Sequence, residues 1–129
     1  MAILPEIKIT VCGKTDVGLL REHNEDNFLI RDFAQAEKVP PDTTAEFLLT
    51  EKGALVIVCD GMGGAAAGEV ASTMAVEIIS ASVAAAGPLT RERFARRLRR
   101  AIEEANARIF AESRDNQNER GMGTTCTAV

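Results

Sequence analysis

The chain has 129 residues, with 15 lysines and arginines against 19 aspartates and glutamates, so its formal net charge is −4. A chain of this length supports one domain with a hydrophobic core of its own. The acidic balance argues against nucleic acid or a lipid surface as the main partner, because both require a basic binding surface and the basic residues here are interleaved with glutamates.

The N-terminal segment has no basic stretch followed by a long apolar run. No segment approaches the length needed to cross a bilayer, so we expect a cytoplasmic protein without a membrane segment.

The three cysteines, Cys12, Cys59 and Cys126, lie far apart and without CxxC spacing. Because an odd number cannot form a complete set of internal disulfides, we expect buried free thiols.

The first half of the chain predicts strands. Residues 6–12 alternate polar and apolar side chains, which is typical of a half-buried strand, and Phe28–Ile30 predicts a second short strand. Residues 31–44 are polar, contain two prolines and predict a surface loop. Glu46–Leu49 and Ala54–Cys59 flank a turn that contains glycine, which favours a β-hairpin. The last of these strands is apolar throughout, so we expect it to be covered on both faces.

Two helices are predicted next. An alanine-rich segment from Ala65 to about Ala86 carries larger apolar residues at helical spacing and ends at Gly87–Pro88. Thr90 is the predicted N-cap of a second helix, whose charged faces we interpret as solvated, with a docking surface as the alternative. Its apolar face consists of Phe94, Leu98, Ile102, Ala105 and Ile109. Both helices must bury an apolar stripe, so we expect an α+β fold with two long helices packed on one face of a mainly antiparallel sheet.

The chain ends within a predicted strand. Residues 121–129 begin as a glycine turn, continue in β-branched residues and stop without a polar tail. Natural domains protect such an edge strand, so we expect residues 1–129 to be the N-terminal portion of a longer domain, truncated at the C-terminus.

Two polar clusters, residues 21–27 and residues 60–64, lie at the ends of predicted strands, where functional side chains are common. Asp60 follows six apolar residues, and desolvation there disfavours a lone carboxylate, so it needs a cation. If the second strand lies beside the fourth, Glu25 and Asp26 bring further oxygens to the same place. Such ligands suit Mg²⁺, Mn²⁺ or Ca²⁺ better than Zn²⁺.

Two further residues complete this candidate site. Gly61 has no side chain, so its carbonyl oxygen can approach a metal closely. Arg21 offers a planar fork of donors that suits phosphate, although a surface ion pair with Glu25 is the alternative interpretation. His23, the single histidine, lies among charged residues and is predicted to be a solvated loop side chain.

Residues 61–66 satisfy the GxGxxA pattern of a dinucleotide-binding turn. However, Asp60 would place a carboxylate beside the pyrophosphate, and a second helix follows where a strand is required. A Walker loop is also excluded, because Glu69 and Val70 follow Gly68. Nucleotide binding is therefore the weakest functional hypothesis.

Three groups of motifs follow one another along the chain: Thr15–Gly18 with Arg21 and Asn24–Asp26, then Val58–Gly64 with Gly68–Glu69 and Ala71–Ser72, then Gly123–Thr125. In combination, they resemble the PP2C family of metal-dependent serine/threonine phosphatases, in its bacterial form. The resemblance implies a central β-sandwich flanked by helices in α-β-β-α layers, of which this chain would be the first half, and a two-metal Mn²⁺ or Mg²⁺ site at one end of the sandwich.

The same resemblance implies a role for each site residue. Asp60 would bridge the two metals, and the backbone oxygen of Gly61 would bind one of them. Glu25 would be a further ligand, directly or through water, and Asp26 would support the ligand shell. Arg21 would receive the substrate phosphate, while water activated by the metals attacks phosphorus.

Two features depart from the family pattern. Met62 stands where eukaryotic members carry a histidine proposed as general acid, so the leaving group would take its proton from metal-bound water or another group. The remaining metal-binding aspartates of the family lie in the second half of its domain. We therefore expect the 129-residue chain alone to bind metal weakly and to have little or no activity.

The expected function is hydrolysis of phosphoserine and phosphothreonine in proteins, with phosphorylated proteins and a cognate kinase pathway as partners. The alternative is a catalytically inactive module that binds phosphorylated partners or scaffolds such a pathway.

Overall fold

The computed structural model describes residues 5–64 and 66–129, so the predicted helix start at Ala65 lies outside the described residues. The described part contains six strands and two long helices. In chain order these are β1 Lys8–Cys12, β2 Asp26–Asp32, β3 Thr44–Leu48, β4 Ala54–Met62, α1 Ala67–Ala85, α2 Arg91–Asp115, β5 Gly123–Thr124 and β6 Thr127–Ala128, with a short 3₁₀ helix, Gln117–Glu119, before β5.

Strand β4 is the centre of a four-stranded antiparallel sheet. Strand β2 pairs along one of its edges, and β5 and β6 pair along the other. Strands β1 and β3 form a separate two-stranded antiparallel sheet. The predicted α+β class, with mainly antiparallel strands and two long helices, is confirmed.

The core lies between β4 and α1. Leu55, Ile57 and Cys59 alternate along one face of β4 and are fully buried. Helix α1 covers that face with small residues such as Ala71 and Ala75, which let the helix approach the sheet closely. Apolar burial of this kind is the main force that holds the two layers together.

Helix α2 packs on α1, on the same side of the sheet. The two helices are separated at Gly87, whose φ of +67° lies in the left-handed region that favours glycine. The hydroxyl of Thr90 accepts a hydrogen bond from the Arg93 main-chain N–H (3.4 Å), as predicted for an N-cap. The inner face of α2 buries Ala101, Ala105 and Ile109.

The predicted hairpin between the third and fourth strands is wrong. Strand β3 pairs with β1, with Phe47 opposite Ile9, and β4 takes other partners. Both edges of β4 are already occupied by β2 and by β5 and β6, so β3 has no edge to pair with. The glycine turn therefore carries the chain from one sheet to the other.

The prediction that β4 is covered on both faces is also wrong for the described residues. Val58 is 54% exposed, because its face of the sheet borders an open apolar cleft between the two sheets. Gly13, just after β1, approaches the ring of Phe28 at one side of this cleft. Within the part of the chain that the structure describes, helices therefore cover only one face of the sheet.

Two smaller expectations also need correction. Cys12 is exposed, because it lies at the end of the outlying strand β1, whereas Cys59 is buried and Cys126 partly buried; all three are free thiols.

Helix α1 is long and apolar enough to cross a membrane by length and composition, contrary to expectation. However, 56% of that span is buried inside the protein, so packing against the sheet accounts for its apolar character.

Replacement of Ile57 by alanine tests the position of the core. Ile57 has no exposed surface, so Ile57→Ala should lower the free energy of unfolding by about 2–5 kcal/mol. The matched control is Ile7→Ala, because Ile7 is 55% exposed, and its cost should stay below about 1 kcal/mol. Urea denaturation measures both, and equal losses would contradict the assigned core.

Candidate active site

The pairing of β2 with β4 brings the two predicted polar clusters together. Asp26, the first residue of β2, lies opposite Asp60 near the end of β4. Just beyond this pair, the Gly61 main-chain N–H donates to the Glu25 carbonyl oxygen (3.1 Å). The second strand therefore lies beside the fourth, as the prediction of a shared site required.

Thr125 holds the backbone of Asp60 from the other edge of β4. The Asp60 N–H donates to Thr125 Oγ1 (3.0 Å), and the Thr125 N–H donates to the Asp60 carbonyl oxygen (2.9 Å). A side-chain hydroxyl thus replaces one bond of the strand ladder. The sequence placed Thr125 in the predicted C-terminal strand and gave its hydroxyl no role, since the only local signal of an irregular strand was the glycine at position 123.

Two glycines allow close backbone approach at the site. A Cβ on Gly61 would overlap the Gly68 carbonyl oxygen and lie 2.6 Å from the Glu25 carbonyl oxygen. A Cβ on Gly68 would lie 2.7 Å from Glu25 Oε1. The first turn of α1 therefore lies directly against Glu25, in space that any side chain at these positions would fill.

Asn24 fixes the loop that leads into β2. Its side-chain amide donates to Thr15 Oγ1 (2.8 Å), and its Oδ1 accepts from the Asp26 N–H (3.1 Å). Farther along the loop, Asp16 Oδ1 accepts from the Gly18 N–H (2.7 Å), which closes a local turn. These hydrogen bonds hold the loop that contains Arg21 at the end of the sheet.

All five predicted site residues line one polar cleft of about 480 Å³: Arg21, Glu25, Asp26, Asp60 and Gly61. The described part of the chain contains three ion pairs, and none of them includes Arg21, so the alternative surface pair with Glu25 is not formed. His23 is exposed, as expected of a loop side chain, and it also lines the cleft. The exposed thioether of Met62 lies at the same opening.

The cleft concentrates negative charge. Although Asp26 is exposed, desolvation, followed by the facing Asp60 and by Glu25, raises the pKa of its carboxyl above the usual value. The site therefore disfavours its own ionised state and favours a bound cation. Carboxylate and carbonyl oxygens fit a hard divalent ion.

The described residues do not form a cluster of side chains that could hold a metal ion by itself. No group of three or more histidine, cysteine, aspartate or glutamate side chains within residues 5–64 and 66–129 is arranged to hold one ion.

With this geometry in place, comparison with known proteins assigns the family. Residues 34–129 match the family model of protein phosphatase 2C. The chain belongs to the protein phosphatase 2C family. Both the predicted family and the predicted phosphatase-like architecture are confirmed.

The relatives are bacterial phosphatases that are longer than this chain. Serine/threonine phosphatase stp of Listeria innocua is 38% identical over 117 residues, which cover 90% of this chain and 40% of that protein. The crystal structure of serine/threonine phosphatase Stp1 from Staphylococcus aureus is 26% identical, with a TM-score of 0.63, and the match covers 98% of this chain and 42% of that one. The catalytic domain of serine threonine protein phosphatase PstP, solved in complex with two manganese ions, is 28% identical, with a TM-score of 0.63 and coverage of 95% and 42%. This chain thus spans about 40% of the length of the curated relatives that it matches.

Substitution of Gly61 tests the close approach of backbones at the site. Gly61→Ala should lower the free energy of unfolding by about 1–3 kcal/mol, because its Cβ overlaps main-chain atoms that cannot move independently. Gly64→Ala is the matched control, since nothing lies within 4 Å of the added Cβ, and its effect should stay within about 0.5 kcal/mol. Urea denaturation measures both; an unaffected Gly61→Ala protein would refute the packing.

The charge cluster predicts a pH dependence of stability. Because the pKa of Asp26 is raised in the folded state, the folded protein binds this proton more tightly than the unfolded chain. The contribution of Asp26 to the stability of the metal-free protein should therefore fall as the pH rises from about 3 through its folded pKa. Asp26→Asn removes this effect, so its stability relative to the wild type should increase over that range.

The control for this titration has the opposite sign. A hydrogen bond from Arg114 and its positive charge lower the pKa of Asp115, so this carboxylate stabilises the fold above its unfolded pKa and loses that effect as the pH falls. Asp115→Asn should thus lose stability relative to the wild type as the pH rises. Denaturation in EDTA at pH 3 to 7 measures both variants, and parallel curves for Asp26→Asn and the wild type would contradict the cluster.

Proposed function

We propose that this chain is part of an enzyme that uses divalent metal ions to hydrolyse phosphoserine and phosphothreonine in proteins. The observation that carries the proposal is the cleft in which the guanidinium of Arg21 lies with two facing carboxylates, Asp26 and Asp60. Family membership supports it, as do relatives named serine/threonine phosphatases. The two manganese ions of the PstP catalytic domain support Mn²⁺ or Mg²⁺ as the cofactor.

In this proposal each residue has one role. Asp60, Glu25 and the carbonyl oxygen of Gly61 would hold the metal ions, and Asp26 would support the ligand shell. When bound, such ions lower the pKa of water and make hydroxide available near neutral pH. Arg21 binds the phosphate through parallel hydrogen bonds and stabilises the negative charge that develops on it.

Met62 cannot protonate the leaving group. Its side chain lines the cleft, and a thioether has no proton to donate. The seryl or threonyl oxygen would therefore take its proton from water or from another group. The proposed catalysis thus depends on charge placed around the phosphate, without a nucleophilic side chain.

The proposal extends to phosphorylated proteins as substrates, a cognate kinase pathway as partner and the cytoplasm as location. The bacterial serine/threonine phosphatases among the relatives support the substrate class. The assignment of residues 1–129 to the N-terminal portion of a single phosphatase domain stays a prediction.

Replacement of Asp60 tests the proposed function directly. In the full-length protein, Asp60→Asn should lower kcat/KM for a phosphothreonine peptide by at least about 100-fold, because a charged metal ligand is lost. Arg21→Lys should lower it by about tenfold or more, since the planar fork is lost while the charge remains. Asp42→Asn is the matched control: it removes an exposed carboxylate outside the cleft and should leave the activity unchanged.

The assay follows phosphate release with Mn²⁺, with Mg²⁺ and with EDTA. Full activity of the Asp60→Asn protein, or equal activity in EDTA, would contradict the metal mechanism. A wild-type protein that binds the phosphopeptide through Arg21 without turnover would instead establish the non-catalytic alternative.

A further inference from the structure

The first ten residues of α2 carry an unusual concentration of positive charge. Residues 91–100 contain six arginines and one glutamate, a net charge of +5 in a chain whose overall charge is −4. Four of these arginines recur at positions i, i+3, i+4 and i+7 and therefore share one side of the helix. This arginine stripe consists of Arg93, Arg96, Arg97 and Arg100.

The stripe faces away from the core. Ala101 and Ala105 mark the buried side of α2, and three arginines of the stripe, Arg93, Arg96 and Arg100, are exposed away from it. Arg97 is half-buried, and its Nε donates to the Ser82 carbonyl oxygen (2.9 Å), which anchors α2 to the end of α1. Three arginines are thus presented to solvent along about 10 Å of helix.

Within residues 5–64 and 66–129, no arginine of the stripe forms an ion pair. In the described part of the chain, ion pairs join Lys8 to Glu46, Arg99 to Glu103 and Arg114 to Asp115, and none includes a stripe residue. Neighbouring like charges at i, i+3 and i, i+4 destabilise a helix, and positive charge near its N-terminus also opposes the helix dipole. The arrangement therefore weakens the free helix and would be relieved by a bound polyanion.

The stripe is remote from the acidic cleft. Phe94, at the start of α2, lies against Gly53, next to the first residue of β4. Asp60 lies six residues farther along that strand, about 20 Å away. The stripe is consequently a separate surface, independent of the proposed phosphate site.

We propose that the arginine stripe is a docking surface for an acidic segment of a partner polypeptide, rich in aspartate, glutamate or phosphorylated residues. A short, extended acidic segment fits a short stripe, because its side chains can meet arginines spaced about 5–6 Å apart. Glu92, Glu103 and Glu104 border the stripe and would repel a broad polyanion such as DNA or an anionic membrane. The large apolar residue exposed on α2 that lies nearest to the stripe is Phe110, ten residues beyond Arg100. The stripe therefore has no adjacent apolar side chain that could insert into a bilayer.

A binding measurement on the full-length protein tests this surface. The probe is a fluorescein-labelled octaglutamate peptide, followed by anisotropy in EDTA, so the result does not depend on phosphatase activity. The triple variant Arg93→Gln, Arg96→Gln, Arg100→Gln should raise the Kd by about tenfold or more, and binding should weaken with added salt. A charge-matched control removes three arginines elsewhere and should change the Kd less than about twofold; it is Arg108→Gln, Arg114→Gln, Arg120→Gln.

Further readouts separate docking from misfolding and from other polyanions. The triple variant should keep or raise the thermal midpoint, because like-charge repulsion is removed; if it misfolds, Arg96→Gln alone should raise the Kd by about threefold. Equal Kd values for the wild type and the stripe variants, or equal losses in the charge-matched control, would overturn the proposal. So would a stripe-dependent loss of binding to phosphatidylserine vesicles or a single-stranded oligonucleotide without a loss for the peptide.

Discussion

The rest of the site depends on one electrostatic constraint, the meeting of Asp26 and Asp60 across two paired strands. The register that sets them opposite each other is the one that buries Leu29 and Ile57 against the helix layer. Each such burial stabilises the fold by about 1.5–3 kcal/mol. A like-charged pair across strands costs about 1 kcal/mol or less, so burial wins and the carboxylates are forced together. A shift by one residue would relieve the charges but would expose the apolar face.

Two features hold the backbone around this pair: glycines without side chains, and one side-chain hydrogen bond. Gly61 and Gly68 let the end of β4, the start of α1 and the Glu25 backbone touch. On the opposite edge, Thr125 uses its hydroxyl to take the Asp60 N–H out of the regular ladder. The carboxylates consequently project from a rigid support, which lowers the reorganisation needed to bind a cation.

Charge is distributed unevenly over the molecule. The acidic cluster lies where β2 begins and β4 ends, while the arginine stripe lies on the first turns of α2, near the beginning of β4. The net charge of −4 conceals these two opposite regions. Each of them works against local stability, and each is therefore better explained by a bound partner of opposite charge than by the fold itself.

The sequence alone was sufficient for the elements whose signals are local. The alternation in β1, the glycine and N-cap between the helices, and the polar clusters at strand ends all follow from the conformational preferences of a few neighbouring residues. The family motifs were enough to name Arg21, Glu25, Asp26, Asp60 and Gly61 as site candidates. Local signals could not show that β3 pairs with β1, because the choice of strand partner depends on which edges the rest of the fold has already occupied.

What the sequence by itself determined is therefore the inventory of elements and of chemically competent residues, because helix caps, turns and periodic burial act over short distances. Tertiary structure alone decided which of these residues meet. The role of Thr125, 65 positions from Asp60, and the facing of Asp26 and Asp60 arise only when strands distant in sequence pair. Backbone hydrogen bonding between strands is nearly blind to residue identity, so only the burial of the whole sheet selects the partners and the register.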